Sequence, residues 1–183
     1  MGKCYFNSKP SQYQRQDEWS ESTKVVDYLS QVRTRSIELW LINNSSFESS
    51  KLISFCQNFT NLFELNIHDC IIGKIEKKLF DGFTNLRSLS LRSNFIETID
   101  FDAFSNLKLL VNLDLSYNEI ESLDNRTFLE LVNLETLNLS GNRIKSLDEN
   151  IFSNLKNLRE LDLRYNQLER LDHKLFDGLE SLY

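Results

Sequence analysis

Apolar residues recur along most of this chain in one fixed phrase. From Leu110 it reads Leu-x-x-Leu113-x-Leu115-x-x-Asn118-x-Ile120-x-x-Leu123, followed by Phe128, Leu131 and a new opening at Leu134. The openings Leu86, Leu110, Leu134, Leu158 and Leu182 keep a constant 24-residue spacing. A fixed period of this length predicts stacked structural units rather than a globule closed around one core. Within Leu-x-Leu-x-x-Asn the period is two, so the leucines face one side and the x residues the other, as in a short half-buried strand. Each unit is then one coil: a strand, a turn, and a return along the far side before the next strand pairs in parallel.

The slots have separate physical roles. The turn after the strand brings backbone N–H and C=O groups inside the coil, where unpaired groups are costly. Asn94, Asn118, Asn142 and Asn166 carry amides with both a donor and an acceptor, suited to a ladder bonding neighbouring coils. Cys70 takes that slot in the unit from Leu62, and Asn44 takes it in a degraded unit with Leu39 and Leu41, offset by 26 residues. Phe80, Phe104, Phe128, Phe152 and Phe176 predict an aromatic spine on the convex side. The organisation expected is a polar N-terminal segment at 1–35, disordered over 1–18, an irregular unit at 36–61, five regular units at 62–181, and the start of a further unit at 182–183. Val25-Val26-x-Tyr28-Leu29 is a candidate strand or short helix against the first coil. Because terminal coils need covering neighbours, more coils are expected to follow Tyr183 in a longer parent.

These residues resemble the leucine-rich repeat family, and the 24-residue unit with its late Phe is similar to the typical extracellular class found in Toll-type and Slit-type ectodomains and secreted insect immune proteins. The resemblance covers 36–183. It implies an α/β-type solenoid: a curved right-handed coil with a parallel sheet on the concave face, an irregular or 3-10 convex side, and recognition of a protein ligand as the usual activity. It does not say which ligand, since one fold hosts many functions.

Composition narrows the field. No apolar run approaches the ~18 residues of a membrane span. The net charge is −6, and the first 35 residues, with six basic and four acidic groups, carry +2, leaving −8 on the repeats. An acidic solenoid without a basic stripe argues against nucleic acid as a partner. Sequons at Asn43, Asn44, Asn58, Asn125 and Asn138 point to a secretory route, with glycan expected at Asn43, Asn58, Asn125 and Asn138. Asn138 projects into the concave face, where a glycan would obstruct it. Against that route, Met1-Gly-Lys-Cys-Tyr-Phe shows no signal peptide, so an extracellular location stands beside a cytoplasmic one, and a receptor-like recognition module beside an intracellular scaffold. Met1-Gly2-Lys3-Cys4 invites a lipidation reading, but Phe6 stands where that motif wants Ser or Thr. Extracellular relatives imply a disulfide closing the N-terminal cap, which Cys4 and Cys56 would form. The residues alone leave free thiols equally open, because three cysteines cannot pair fully.

Asp100, Asp124, Asp148 and Asp172 form a second column, with Glu76 in register. A cation ladder is one reading; turn capping, with each carboxylate accepting free N–H groups, is the stronger. No cysteine–histidine cluster supports a metal, and no cofactor is expected. His68-Asp69-Cys70 does not make a catalytic set, since consecutive strand residues face opposite ways. What remains is the concave surface and its lip, where Trp40, Arg92, Tyr117, Arg164 and Tyr165 are the candidate ligand contacts. Phe95 is a further exposed contact.

Overall fold

The computed structural model describes residues 61–69, 71–77 and 79–183, together with the backbone of 3–7, 15–17 and 36–42. Its construction follows from the alternation just read, because each repeat strand places its Leu side chains inward. The strands are β1 (Lys3–Asn7), β2 (Arg15–Asp17), β3 (Ser36–Ile42), β4 (Glu64–His68), β5 (Lys74–Ile75), β6 (Ser88–Ser90), β7 (Thr98–Ile99), β8 (Asn112–Asp114), β9 (Thr136–Asn138) and β10 (Glu160–Asp162). Eight of them form one sheet in the order β10-β9-β8-β6-β4-β3-β1-β2, and β5 pairs with β7 in a second, two-stranded sheet. From β3 to β10 the large sheet is parallel. From β4 onward each strand pairs exactly one sequence period from the last, as in Leu65 opposite Leu89, Leu89 opposite Leu113 and Leu113 opposite Leu137.

The return path is built from tight turns. Backbone N–H groups donate three residues back at Ala103 to Asp100, Thr127 to Asp124, Ile151 to Asp148 and Leu175 to Asp172. The same bond recurs at Phe83 to Phe80, Leu107 to Phe104, Leu131 to Phe128 and Leu155 to Phe152. These are 3-10-type bonds, used here in short pieces as that geometry favours. Between sheet and turns lies one continuous core of Leu, Ile and Phe side chains. Phe80 stacks on Phe104 with ring centres 5.9 Å apart, and Phe128 on Phe152 at 6.2 Å.

The buried amides tie the coils together. Asn118 Oδ1 accepts from the backbone N–H of Asn94 at 2.9 Å and of Ile96 at 3.0 Å, both one coil earlier. Its Nδ2 donates to the carbonyls of Leu91 and Leu115. Asn142 repeats this with Ile120, Leu115 and Leu139, and Asn166 with Ile144, Leu139 and Leu163. Asn94 donates to Ile67 and Arg92. One side chain thus satisfies groups on two coils.

Three expectations change. The first unit pairs with β4 two positions away from the expected offset: Ile37 and Leu39 lie opposite Leu65 and Ile67. A shift of two keeps every side chain on its face, so alternation alone cannot set this register. Residues 3–7 and 15–17, expected to be unstructured, form β1 and β2, with β1 antiparallel to β3; the edge of β3 presents unpaired backbone groups that an added strand can satisfy. Phe176 occupies its spine register but is 39% exposed, with Leu171 also exposed. Phe104, Phe128 and Phe152, each with a described coil on both sides, are buried.

One core position runs against the pattern. Leu79, Ala103, Thr127, Ile151 and Leu175 form a buried column on the turns, and Thr127 is its only polar member. The Thr127 hydroxyl is buried with no hydrogen-bond partner, an arrangement that costs about 1–3 kcal/mol.

Replacing Asn118 with Ala strands the N–H groups of Asn94 and Ile96 and the Leu91 carbonyl inside the core, while the Leu115 carbonyl keeps its bond from Asn142. Urea unfolding should show a loss of about 2–4 kcal/mol, against a smaller loss for Asn166→Ala, whose amide is only partly buried.

Candidate functional site

The chain must bend inward immediately before each ladder amide, and it does so through the left-handed region. Asp69, Ser93, Tyr117, Gly141 and Tyr165, one per coil, have φ of +56°, +57°, +55°, +68° and +57°. Glycine, asparagine and aspartate suit this conformation; bulky side chains are rare in it. Tyr117 and Tyr165 therefore stand where the backbone disfavours them, and so does Phe95, at +54°. All three rings are exposed, Tyr117 by 50% and Tyr165 by 76%.

These residues make a row along the lip. Arg92 lies over the Tyr117 ring, 4.2 Å from its centre, with Nη1 3.4 Å from Ser116 Oγ. Arg92 forms no ion pair with a carboxylate among the described residues, so its charge faces outward. The Tyr117 ring runs across Gly141: a Cβ there would lie 3.1 Å from Tyr117 Cδ1. Glycine at 141 adopts this φ without strain and, unlike the side chains in the equivalent slots, lets the ring pass. On the next coil Arg164 grips Asp162 through two bonds, Nε to Oδ1 at 2.9 Å and Nη2 to Oδ2 at 2.7 Å. The pair holds the Asp162 carboxyl below the usual carboxylate range, through the Arg164 hydrogen bond first. The row Arg92–Tyr117–Gly141–Arg164/Tyr165 thus crosses four coils, ~14 Å at the ~4.8 Å strand spacing.

The concave strand ends are occupied by local bonds. Asp114, Asn138 and Asp162 each accept through Oδ1 from the backbone N–H two residues on, at Ser116, Ser140 and Arg164. Asn138 also accepts from the Ser140 hydroxyl at 2.7 Å. A neutral amide between two carboxylates avoids three like charges in adjacent strands. Trp40 lies opposite His68 in the sheet register. Asn43, Asn44, Cys56, Asn58, Cys70 and the stretch 25–29 lie outside the described residues.

The aspartate column is engaged in the same manner. Asp124, Asp148 and Asp172 accept from the N–H of Arg126, Asn150 and Lys174, each at 2.9 Å. Asp100 instead reaches one coil back, to the Lys77 N–H and the Lys74 ammonium. Hydrogen bonding from Arg126 draws the Asp124 carboxyl down to about 2. Among the described residues no group of three or more His, Cys, Asp or Glu is placed to hold a metal ion.

A second polar column escaped the sequence reading. Asn133, Asn157 and Ser181, each just before an opening Leu, donate across the coil boundary to the carbonyls of Lys108, Val132 and Lys156. Its signal was available: Asn61, Asn85, Asn133 and Asn157 fall on the 24-residue spacing, with Leu109 as the exception.

A family model described as Leucine rich repeat matches residues 60–120, 84–144 and 132–183. A comparison with curated proteins found no match.

Replacing Asp148 with Ala removes a turn cap and should lower stability by about 1 kcal/mol. The drop in melting temperature should be equal in calcium and in chelator; a drop confined to calcium would restore the cation-ladder reading.

Proposed function

The chain belongs to the leucine-rich repeat family, whose repeats serve protein–protein interaction, and from that premise we propose that it binds a protein ligand along its concave face and lip as part of a secreted or membrane-anchored recognition protein of receptor-like, innate-immune or developmental type. One observation carries this reading: Tyr117 and Tyr165 hold exposed aromatic rings in left-handed backbone. Strained positions of this kind cost of order 1–3 kcal/mol each and concentrate at functional sites. Nothing in the fold calls for an aromatic ring there, since Asp69, Ser93 and Gly141 serve the same slot. Tyr and Arg are the residue types most often found as binding anchors.

The rest of the surface is consistent with such a role. Arg92 and Arg164 are held rigid by ring stacking and by a carboxylate, so little side-chain entropy is lost when they meet a partner. The centre of the sheet, with Ser88, Ser90, Asn112 and Thr136, is small and polar and leaves room for an inserted element. The sequons support a secretory location. No helix among the described residues is long and apolar enough to cross a membrane.

The test uses Tyr117→Asn, because asparagine tolerates the left-handed backbone. The immobilised full chain is crosslinked to proteins of extracellular fluid, and a recovered partner is then titrated against wild type, Tyr117→Asn, Tyr165→Asn and the convex-side control Lys156→Ala. Stability should stay level or rise, because asparagine relieves the left-handed backbone, while affinity falls at least ~10-fold for each tyrosine variant and stays unchanged for Lys156→Ala. A partner indifferent to both tyrosines but lost with Lys156→Ala would move the binding surface to the other side of the solenoid.

A further inference from the structure

Two complete sequons lie among the described residues, and the structure treats their hydroxyls in opposite ways. Ser140 of Asn138-Leu139-Ser140 donates its hydroxyl to Asn138 Oδ1 at 2.7 Å, closing the strand end. That serine has work in the fold. Thr127 of Asn125-Arg126-Thr127 is buried, with no partner for its hydroxyl, in a column otherwise made of Leu79, Ala103, Ile151 and Leu175. An apolar residue of the same shape would suit that site better. The fold gives no reason for a hydroxyl at 127.

The acceptor side chain shows the complementary state. Asn125 is exposed at the apex of the turn closed by the Asp124 carboxylate and the Arg126 N–H. Arg126 is drawn away from it, bonded twice to Asp124 and laid over the Phe101 ring at 3.9 Å. The Asn125 amide has no hydrogen-bond partner among the described residues. It projects from the convex turns, on the opposite side of the coil from the lip.

We propose that Asn125 is an N-glycan acceptor and that Thr127 carries the hydroxyl required for its recognition, read while the chain is still unfolded and buried afterwards. The inference rests on the secretory placement proposed above. The step is a transfer from a polyprenyl-pyrophosphate oligosaccharide. The Asn125 Nδ2–C1 bond forms, the C1–oxygen bond to pyrophosphate breaks, the amide gives up one proton, and the lipid pyrophosphate leaves. A glycan on this turn shields the convex side and leaves the recognition row open.

The proposal ties two readouts to one residue. The full chain is produced behind a cleavable secretion leader in glycosylating cells, with retained and secreted fractions both mapped by peptide mass spectrometry, and also in a bacterial host that adds no glycan. Asn125 should be occupied in the wild type and in Thr127→Ser, and bare in Thr127→Val. The bacterial Thr127→Val protein should melt about 2–6 °C above wild type, while Ser140→Ala melts below it and Asn125→Gln stays within about 1 °C. Asn125 bare in folded wild type, or a lower melting temperature for Thr127→Val, overturns the assignment. A bare Asn125 in protein that still loses its partner on Tyr117→Asn would overturn the glycan alone and leave the recognition reading standing.

Discussion

A polar backbone turned into an apolar interior must find partners there, and in this protein a single column of asparagine side chains supplies them. Asn118 accepts from two N–H groups of the preceding coil and donates to carbonyls on both coils. The dependence runs one way, each amide completing the coil before it. No coil is therefore satisfied alone, and stability is a property of neighbours. Hydrophobic burial of the leucines and the Phe80–Phe104 and Phe128–Phe152 stacks drives the coils together, but it is non-directional. The amides convert it into one register.

The same constraint shapes the surface. To bring each amide inside, the preceding residue adopts left-handed backbone, so each of the described coils turns one position toward the lip in a fixed direction. Asp69, Ser93 and Gly141 fill that position without a bulky side chain. Tyr117 and Tyr165 do not, and their rings stand out into solvent there. Thr127 is the buried counterpart, a hydroxyl where the column around it is apolar. In both cases the sequence departs from what its own fold favours, and such departures are where function is expected to appear.

Much of the architecture could be read from spacing because the 24-residue period recurs without slippage from Leu62 onward. The amide ladder, the inward leucines and the buried phenylalanines up to Phe152 occupy the positions that period assigns. Register at the first unit was not legible, since two offsets that differ by a pair of residues place the same faces inward. The strand formed by Lys3–Asn7 was also hidden, because its pairing depends on an available edge of β3 rather than on any strong pattern of its own. Phe176 keeps its place in the column of phenylalanines but is partly exposed. At the lip, the letters Tyr117 and Tyr165 were visible, but the left-handed backbone that makes them informative was not. Nor could spacing reveal that Asp114, Asn138 and Asp162 spend their side-chain oxygens on neighbouring N–H groups.

Hydrogen exchange on the native protein tests the central role of the buried amides most directly. The N–H groups of Ile96, Ile120 and Ile144, each received by the asparagine of the following coil, should exchange only through the opening that also releases the strand amides of Leu113 and Leu137, and with the same denaturant dependence. Rapid exchange of those three isoleucine amides while the strands stay protected would show that the coils hold together without the ladder.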